Sequence, residues 1–230
     1  NKLKYVRYSI MLFFSLLIIT APSHAQKDKC APCGEWRRNV KVLLDFEFDQ
    51  LIKRQNAAIT SVHTMVNEAP PDTLRPGKQD ATRGRYVNES ELVMADANIL
   101  RYRIDERDQD IDIVLEDPTT KETMVARIPQ PCCEDLARNT ALKDRYTLIR
   151  TWFIDSVAHG KISNKFRKAP KNTRYKVVGV PFWDAFDPAE KGKGGAALNY
   201  RSIHPVLDFV TSHGSVVHPV KKVPIRKVIQ

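Results

Sequence analysis

Between Leu92 and Ile104 the apolar positions change phase. Val93, Ala95, Ala97 and Ile99 recur at every second residue, and then Leu100, Tyr102 and Ile104 do so one residue out of step. Strand side chains point to alternate faces, so this slip predicts one long strand with a β-bulge or sharp bend. After the polar tip Asp105-Glu106-Arg107-Asp108-Gln109, the residues Ile111, Ile113 and Leu115 alternate with Asp110, Asp112 and Glu116, which predicts the returning strand of a hairpin. Asp117-Pro118-Thr119-Thr120 is the next turn, and Met124, Ala126 and Ile128 mark a third strand closed by Pro129 and Pro131. The period then becomes helical: Leu142, Tyr146, Ile149, Phe153 and Val157 recur at three and four, with Gly160 placed to end the helix. Residues 174–180 predict a fourth strand, 182–202 a long loop with Gly192, Gly194 and Gly195, and 203–210 a fifth strand.

Three meandering strands, a helix and two more strands, with a bent first strand, is the order of the OB-fold, a five-stranded barrel whose helix lies between its third and fourth strands. A generic α+β sheet with one covering helix is the alternative that the same order allows. Upstream the pattern is weaker. Residues 35–68 show no single period, and 69–85 are rich in Pro, Gly, Asp and Thr, as in an extended connection. The expected organisation is a signal peptide over 1–25, an N-terminal extension and connection over 26–85, an OB-like domain over 86–212 and a basic tail over 213–230.

The signal peptide rests on Lys2, Lys4 and Arg7, the apolar run from Ile10 to Ile19, and Ser23-His24-Ala25 before Gln26. That layout predicts export to the periplasm or beyond, and no later stretch has the roughly 18 apolar residues of a transmembrane helix. The whole chain carries a net charge of +10, and removing those three cations leaves the mature chain at +7. Export also places Cys30, Cys33, Cys132 and Cys133 where disulfides persist. A bond between the neighbours Cys132 and Cys133 would strain the backbone, so Cys30 and Cys33 are expected each to reach one of them. Cys30-Ala31-Pro32-Cys33 lacks the strand–helix context of a redox dithiol.

Several segments resemble a family of uncharacterised secreted bacterial proteins. They are Arg38-Asn39-Val40-Lys41 with Asp45, Arg83-Gly84 with Glu91, Asp108 to Leu115, Ala126-Arg127-Ile128-Pro129, Val178 to Asp184, and Ile203-His204-Pro205-Val206-Leu207. The resemblance implies the domain boundaries and no particular activity. Asp112 stands where the family's second strand carries His, and Ser202 where its last strand opens with Glu.

Candidate chemistry lies in four places. Asp108, Asp110 and Asp112 form an acidic cluster that can hold Ca²⁺; a solvated strand face has the same pattern. An EF-hand is excluded, because Ile113 stands where its tight-turn Gly belongs and Thr119 where its bidentate Glu belongs. Arg101, Arg103 and Arg127 lie on strands and could meet a phosphate beside such an ion, which is the alternative reading as a metal-dependent phosphodiesterase. The loop region supplies Trp183, Asp184, Tyr200 and Arg201, with aromatics suited to stacking on bases or sugars, and His204 opens the last strand. Between Arg138 and Lys176 stand eleven Lys or Arg and two acids, the footprint of a polyanion site for nucleic acid or acidic glycan. No Ser-His-Asp or Cys-His arrangement has local support, so a module that binds an extended anionic or polar ligand is expected ahead of an enzyme, with no cofactor other than the Ca²⁺ that the aspartates could hold.

Overall fold

A computed structural model describes residues 37–44, 57–74, 84–132, 136, 139–171, 173–184, 197 and 199–211. The expected signal peptide, the basic tail, and Cys30, Cys33 and Cys133 lie outside them.

The elements in chain order are α1 (Arg38–Lys41), β1 (Ala58–Ser61), α2 (Val62–Val66), a 3-10 turn (Val87–Glu89), β2 (Val93–Ile104), β3 (Ile111–Glu116), β4 (Thr123–Ile128), α3 (Thr140–Trp152), a π-helical turn (Phe153–Val157), β5 (Arg167–Lys168), β6 (Arg174–Trp183) and β7 (Arg201–Thr211). β2, β3 and β4 form an antiparallel meander. β4 pairs in parallel with β7, β7 antiparallel with β6, and β6 antiparallel with β2, which closes a five-stranded barrel. A parallel partner cannot be reached by a tight hairpin; here the connection from β4 is α3, followed by β5 and β6. The barrel is OB-like, as the order of elements predicts.

The phase slip in β2 is a bulge. Its pairing with β3 shifts between Ile99 and Arg101, and Leu100 is left 37% exposed while Ile99 and Tyr102 are buried. The bend gives each edge of β2 two partners. β1 then β3 follow one edge, and β6 then β5 follow the other.

Alternation drives the inward face. Ala95, Ala97, Ile113, Leu115, Ala126 and Ile203 fill the barrel, and Ile149, Phe153 and Val157 from α3 and its π-helical turn pack into the same cluster. Asn139 caps α3 by accepting from the Leu142 amide at 3.1 Å. Gly160, at φ +70°, follows the π-helical turn in the left-handed conformation that glycine adopts without strain.

A second apolar cluster lies on the other face of β6 and β7. Val178, Val180 and Leu207 meet Leu142 and Tyr146 of α3 and Val42 and Leu43 just after α1. This corrects the expected ends of the last two strands. β6 runs on through Phe182 and Trp183, and β7 begins at Arg201, so the loop between them is shorter than 182–202. With both faces covered, these strands need no polar side, and the apolar run from Val177 to Trp183 is one continuous strand. Gly179 sits at a break in the β6–β7 register, where an added Cβ would lie 2.3 Å from Ile203 Cγ2 and 2.5 Å from the Pro205 carbonyl oxygen.

Candidate functional site

OB barrels commonly bind ligands across the face of their second and third strands, here β3 and β4. Arg103, Asp112 and Arg127 are cross-strand neighbours there on β2, β3 and β4. Asp112 is 2% exposed and accepts from Arg103 Nε and Arg127 Nε, each at 2.9 Å. Arg127 also donates to Asp184, just past β6. Burial works against the Arg127 charge, but Asp184 and Asp112 outweigh it and hold its pKa well above the ordinary value. Burial likewise opposes ionisation of Asp184, yet Arg127 and Lys41 keep its carboxyl below the usual range. The face is therefore a closed alternation of charges in which both carboxylates are engaged.

Asp108 and Asp110 precede β3 and belong to the β2–β3 turn. Asp108 accepts from the Asp110 amide at 3.2 Å, and Asp110 accepts from the Gln130 amide at 2.8 Å. His204 on β7 is wholly buried, with Nε2 3.2 Å from Asp110 Oδ2 and its ring edge-on to Phe182. Neither ring nitrogen has a hydrogen-bond partner among the described residues. Burial pushes Asp110 up to about 6, against the pull of the Gln130 amide, Lys41, Arg127 and Arg150. Burial pushes His204 down to about 3, reinforced by Lys41 and Arg127 and opposed by Asp184 and Asp108. Asp108 is raised as well, by burial and by the neighbouring Asp110 charge.

The three aspartates thus do not converge on one point. Among the described residues no three His, Cys, Asp or Glu side chains are grouped so as to hold a metal ion. Asp112 is bound by arginines, and Asp110 faces His204.

Trp183, Tyr200 and Arg201, expected on an exposed loop, are 1%, 7% and 2% exposed. Trp183 and Arg201 are a cross-strand pair, and the Arg201 guanidinium lies 4.4 Å from the centre of the Trp183 ring. Arg201 donates to the Asn88 carbonyl and pairs with Glu68, each at 2.9 Å. The Trp183 amide donates to Glu89 at 2.7 Å, and Glu89 also pairs with the fully buried Arg37. Arg37 stacks on Tyr86 and Phe182, at 4.7 Å from each ring centre. These side chains lock the segment around α1 and the 3-10 turn onto the barrel, and in this conformation they present no face to a ligand. Cys132 follows β4, and its expected partners Cys30 and Cys33 lie outside the described residues.

Charge is exposed at the other edge of β2. Residues 161–174 hold six Lys or Arg and no acid. Within them β5 pairs with the far end of β2, Lys168 opposite Arg101 and Arg167 opposite Tyr102. Phe166 packs against two guanidiniums, Arg101 at 4.9 Å and Arg103 at 4.6 Å from its ring centre. Arg101, Lys165, Arg167 and Lys168 have no acidic partner among the described residues. Arg101 and Arg103 are thus drawn together, whereas Arg127 and Asp184 belong to the closed network and Trp183, Tyr200, Arg201 and His204 to the interior. Phe166 and β5 escaped the sequence reading; their one signal was an aromatic inside an acid-free basic run.

No family profile, curated protein or solved structure matches this chain. Among the described residues no helix is long and apolar enough to cross a membrane.

Proposed function

We propose that this chain is an exported, disulfide-stapled OB-like module that binds an extended polyanion. The observation behind it is the group of cations along β5 and the end of β2, which are exposed or half-exposed and, Arg103 apart, lack acidic partners among the described residues. A cationic surface of this kind attracts polymers of phosphate, sulfate or carboxylate, whose condensed counterions are released on binding. Export follows from the basic, apolar and small-residue layout of residues 1–25, and the staple from four cysteines in an oxidising compartment.

Affinity for heparin and for DNA, measured across salt concentrations, tests the binding. The expected result is a straight fall of log K with log salt, with a slope of about 0.7 to 0.9 per neutralised phosphate in the case of DNA. Indifference to every polyanion at low salt would remove the reading. Amino-terminal sequencing of the protein recovered from the periplasm or medium checks export, with Gln26 as the expected first residue.

A further inference from the structure

We propose that the β2–β5 ladder is built for an acidic polysaccharide, gripped through its charged groups alone, rather than for a single-stranded nucleic acid. This rests on the polyanion reading and adds the class of polymer and the residues that hold it.

The ladder is rigidly fixed. The Ala169 amide donates to the Leu100 carbonyl, the Ile104 amide to the Ser163 carbonyl and the Ile99 amide to the Thr173 carbonyl, all at 2.8 Å, so residues 163, 169 and 173 are tied to β2 on both sides of β5. Within it Lys168 faces Arg101 directly across the pair. Like charges at that position repel and destabilise a sheet, and among the described residues no carboxylate relieves them. An anionic ligand between them supplies the missing counter-charge. Arg101 and Arg103 are also pre-set, because both guanidiniums lie against the Phe166 ring. That limits the side-chain freedom lost on binding, and a guanidinium offers a planar fork to sulfate or carboxylate oxygens.

Sequence-tolerant binding of single strands draws much of its affinity from bases stacked on aromatic rings. Among the described residues the ladder carries no such open platform. Phe166 already carries two guanidiniums, and Trp183, Tyr200 and Tyr102 are buried. A polymer with charges and no bases forfeits nothing at such a surface.

The test compares a heparin octasaccharide with an oligo-dT of equal charge by calorimetry at low salt and across a salt series, using the full mature chain. Wild type is expected to bind the octasaccharide at least tenfold more tightly. Arg101→Ala with Lys168→Ala should weaken it tenfold or more and lower the salt slope by about two, one for each cation removed. Phe166→Leu keeps every charge, so it should weaken binding several-fold with the slope unchanged. Tighter binding of oligo-dT, or octasaccharide binding unaltered by the double substitution, overturns the inference and leaves the polyanion reading standing. Failure of both probes at low salt overturns both.

Discussion

Asp110 and His204 make a sharp prediction about pH, because burial moves their pKa values in opposite directions. Asp110 stands at about 6 in the folded chain against an ordinary 3.8. A raised carboxyl adds stability that is fully present below 3.8 and is lost as pH climbs through about 6, a range worth about 3 kcal/mol at ~1.4 kcal/mol per pH unit. His204 stands at about 3 against 6.5, so its contribution is present above 6.5 and is lost as pH falls towards about 3. Between about pH 6 and 4 the folded chain therefore holds one proton, on the pair, and the unfolded chain holds one, on the histidine. The two cancel, and the pair contributes a nearly flat segment to the stability curve. Asp110→Asn removes the folded-state proton and keeps a side chain of the same size beside Nε2. The variant should then lose about 1.4 kcal/mol per pH unit relative to wild type, or about 3 kcal/mol between pH 6 and pH 4. Above pH 6 it should match or exceed wild type, because a buried carboxylate has gone. Urea unfolding of both proteins at half-unit intervals from pH 4 to 7 measures the difference and cancels every other titrating group. Parallel curves would refute the coupling of these two side chains.

Four further outcomes follow from the packing. Arg37→Ala should cost about 3–5 kcal/mol in urea unfolding, because it strands the wholly buried Glu89 carboxylate without its guanidinium. Arg145 is 8% exposed, donates to the Leu207 carbonyl and pairs with Asp208, both at 2.7 Å, so Arg145→Ala should cost a similar amount by the same assay. Gly179→Ala should destabilise by about 1–3 kcal/mol or more, seen as a lower melting temperature, because the neighbours that crowd its Cβ include a backbone carbonyl. Arg174→Ala is the contrast: its pair with Asp96 has side chains 47% and 39% exposed, so the melting temperature should be unchanged within the error of the same assay.

The barrel was legible where one face of a strand meets the core and the other does not. The phase slip at Ile99 and Leu100 reports a bulge because shifting the phase by one residue exchanges the faces. The helix was equally readable from Leu142 to Val157, since its buried positions keep one period through the π-helical turn. Legibility failed where burial comes from both sides. Trp183 looked like a loop aromatic because nothing local shows that α1 and the 3-10 turn cover β6 and its end. Arg201 looked like a ligand-binding cation for the same reason, since its ring partner Trp183 is 18 positions away and its carboxylate, Glu68, is far upstream. A two-residue strand such as β5 has no period to read, so the partnership of Phe166 with Arg101 and Arg103 was visible only in three dimensions.

That partnership also explains why the exposed charge is on β2 and β5 rather than on the usual OB face. Around Asp112, on β2 and β4, the cations are committed. Arg103 and Arg127 each give their Nε to an Asp112 that is 2% exposed. A ligand that pulled both guanidiniums away would leave that carboxylate buried and unpaired, a loss of about 3–5 kcal/mol that its own contacts would first have to recover. Arg103 bridges the two regions, held by Asp112 through Nε and resting on Phe166 at 4.6 Å. The neighbouring Arg101 and Lys168 face the opposite situation, because they repel across the ladder and gain a counter-charge when an anion arrives. Binding is cheapest where the folded chain has left like charges together, and among the described residues the β2–β5 ladder meets that condition while the β3–β4 face does not.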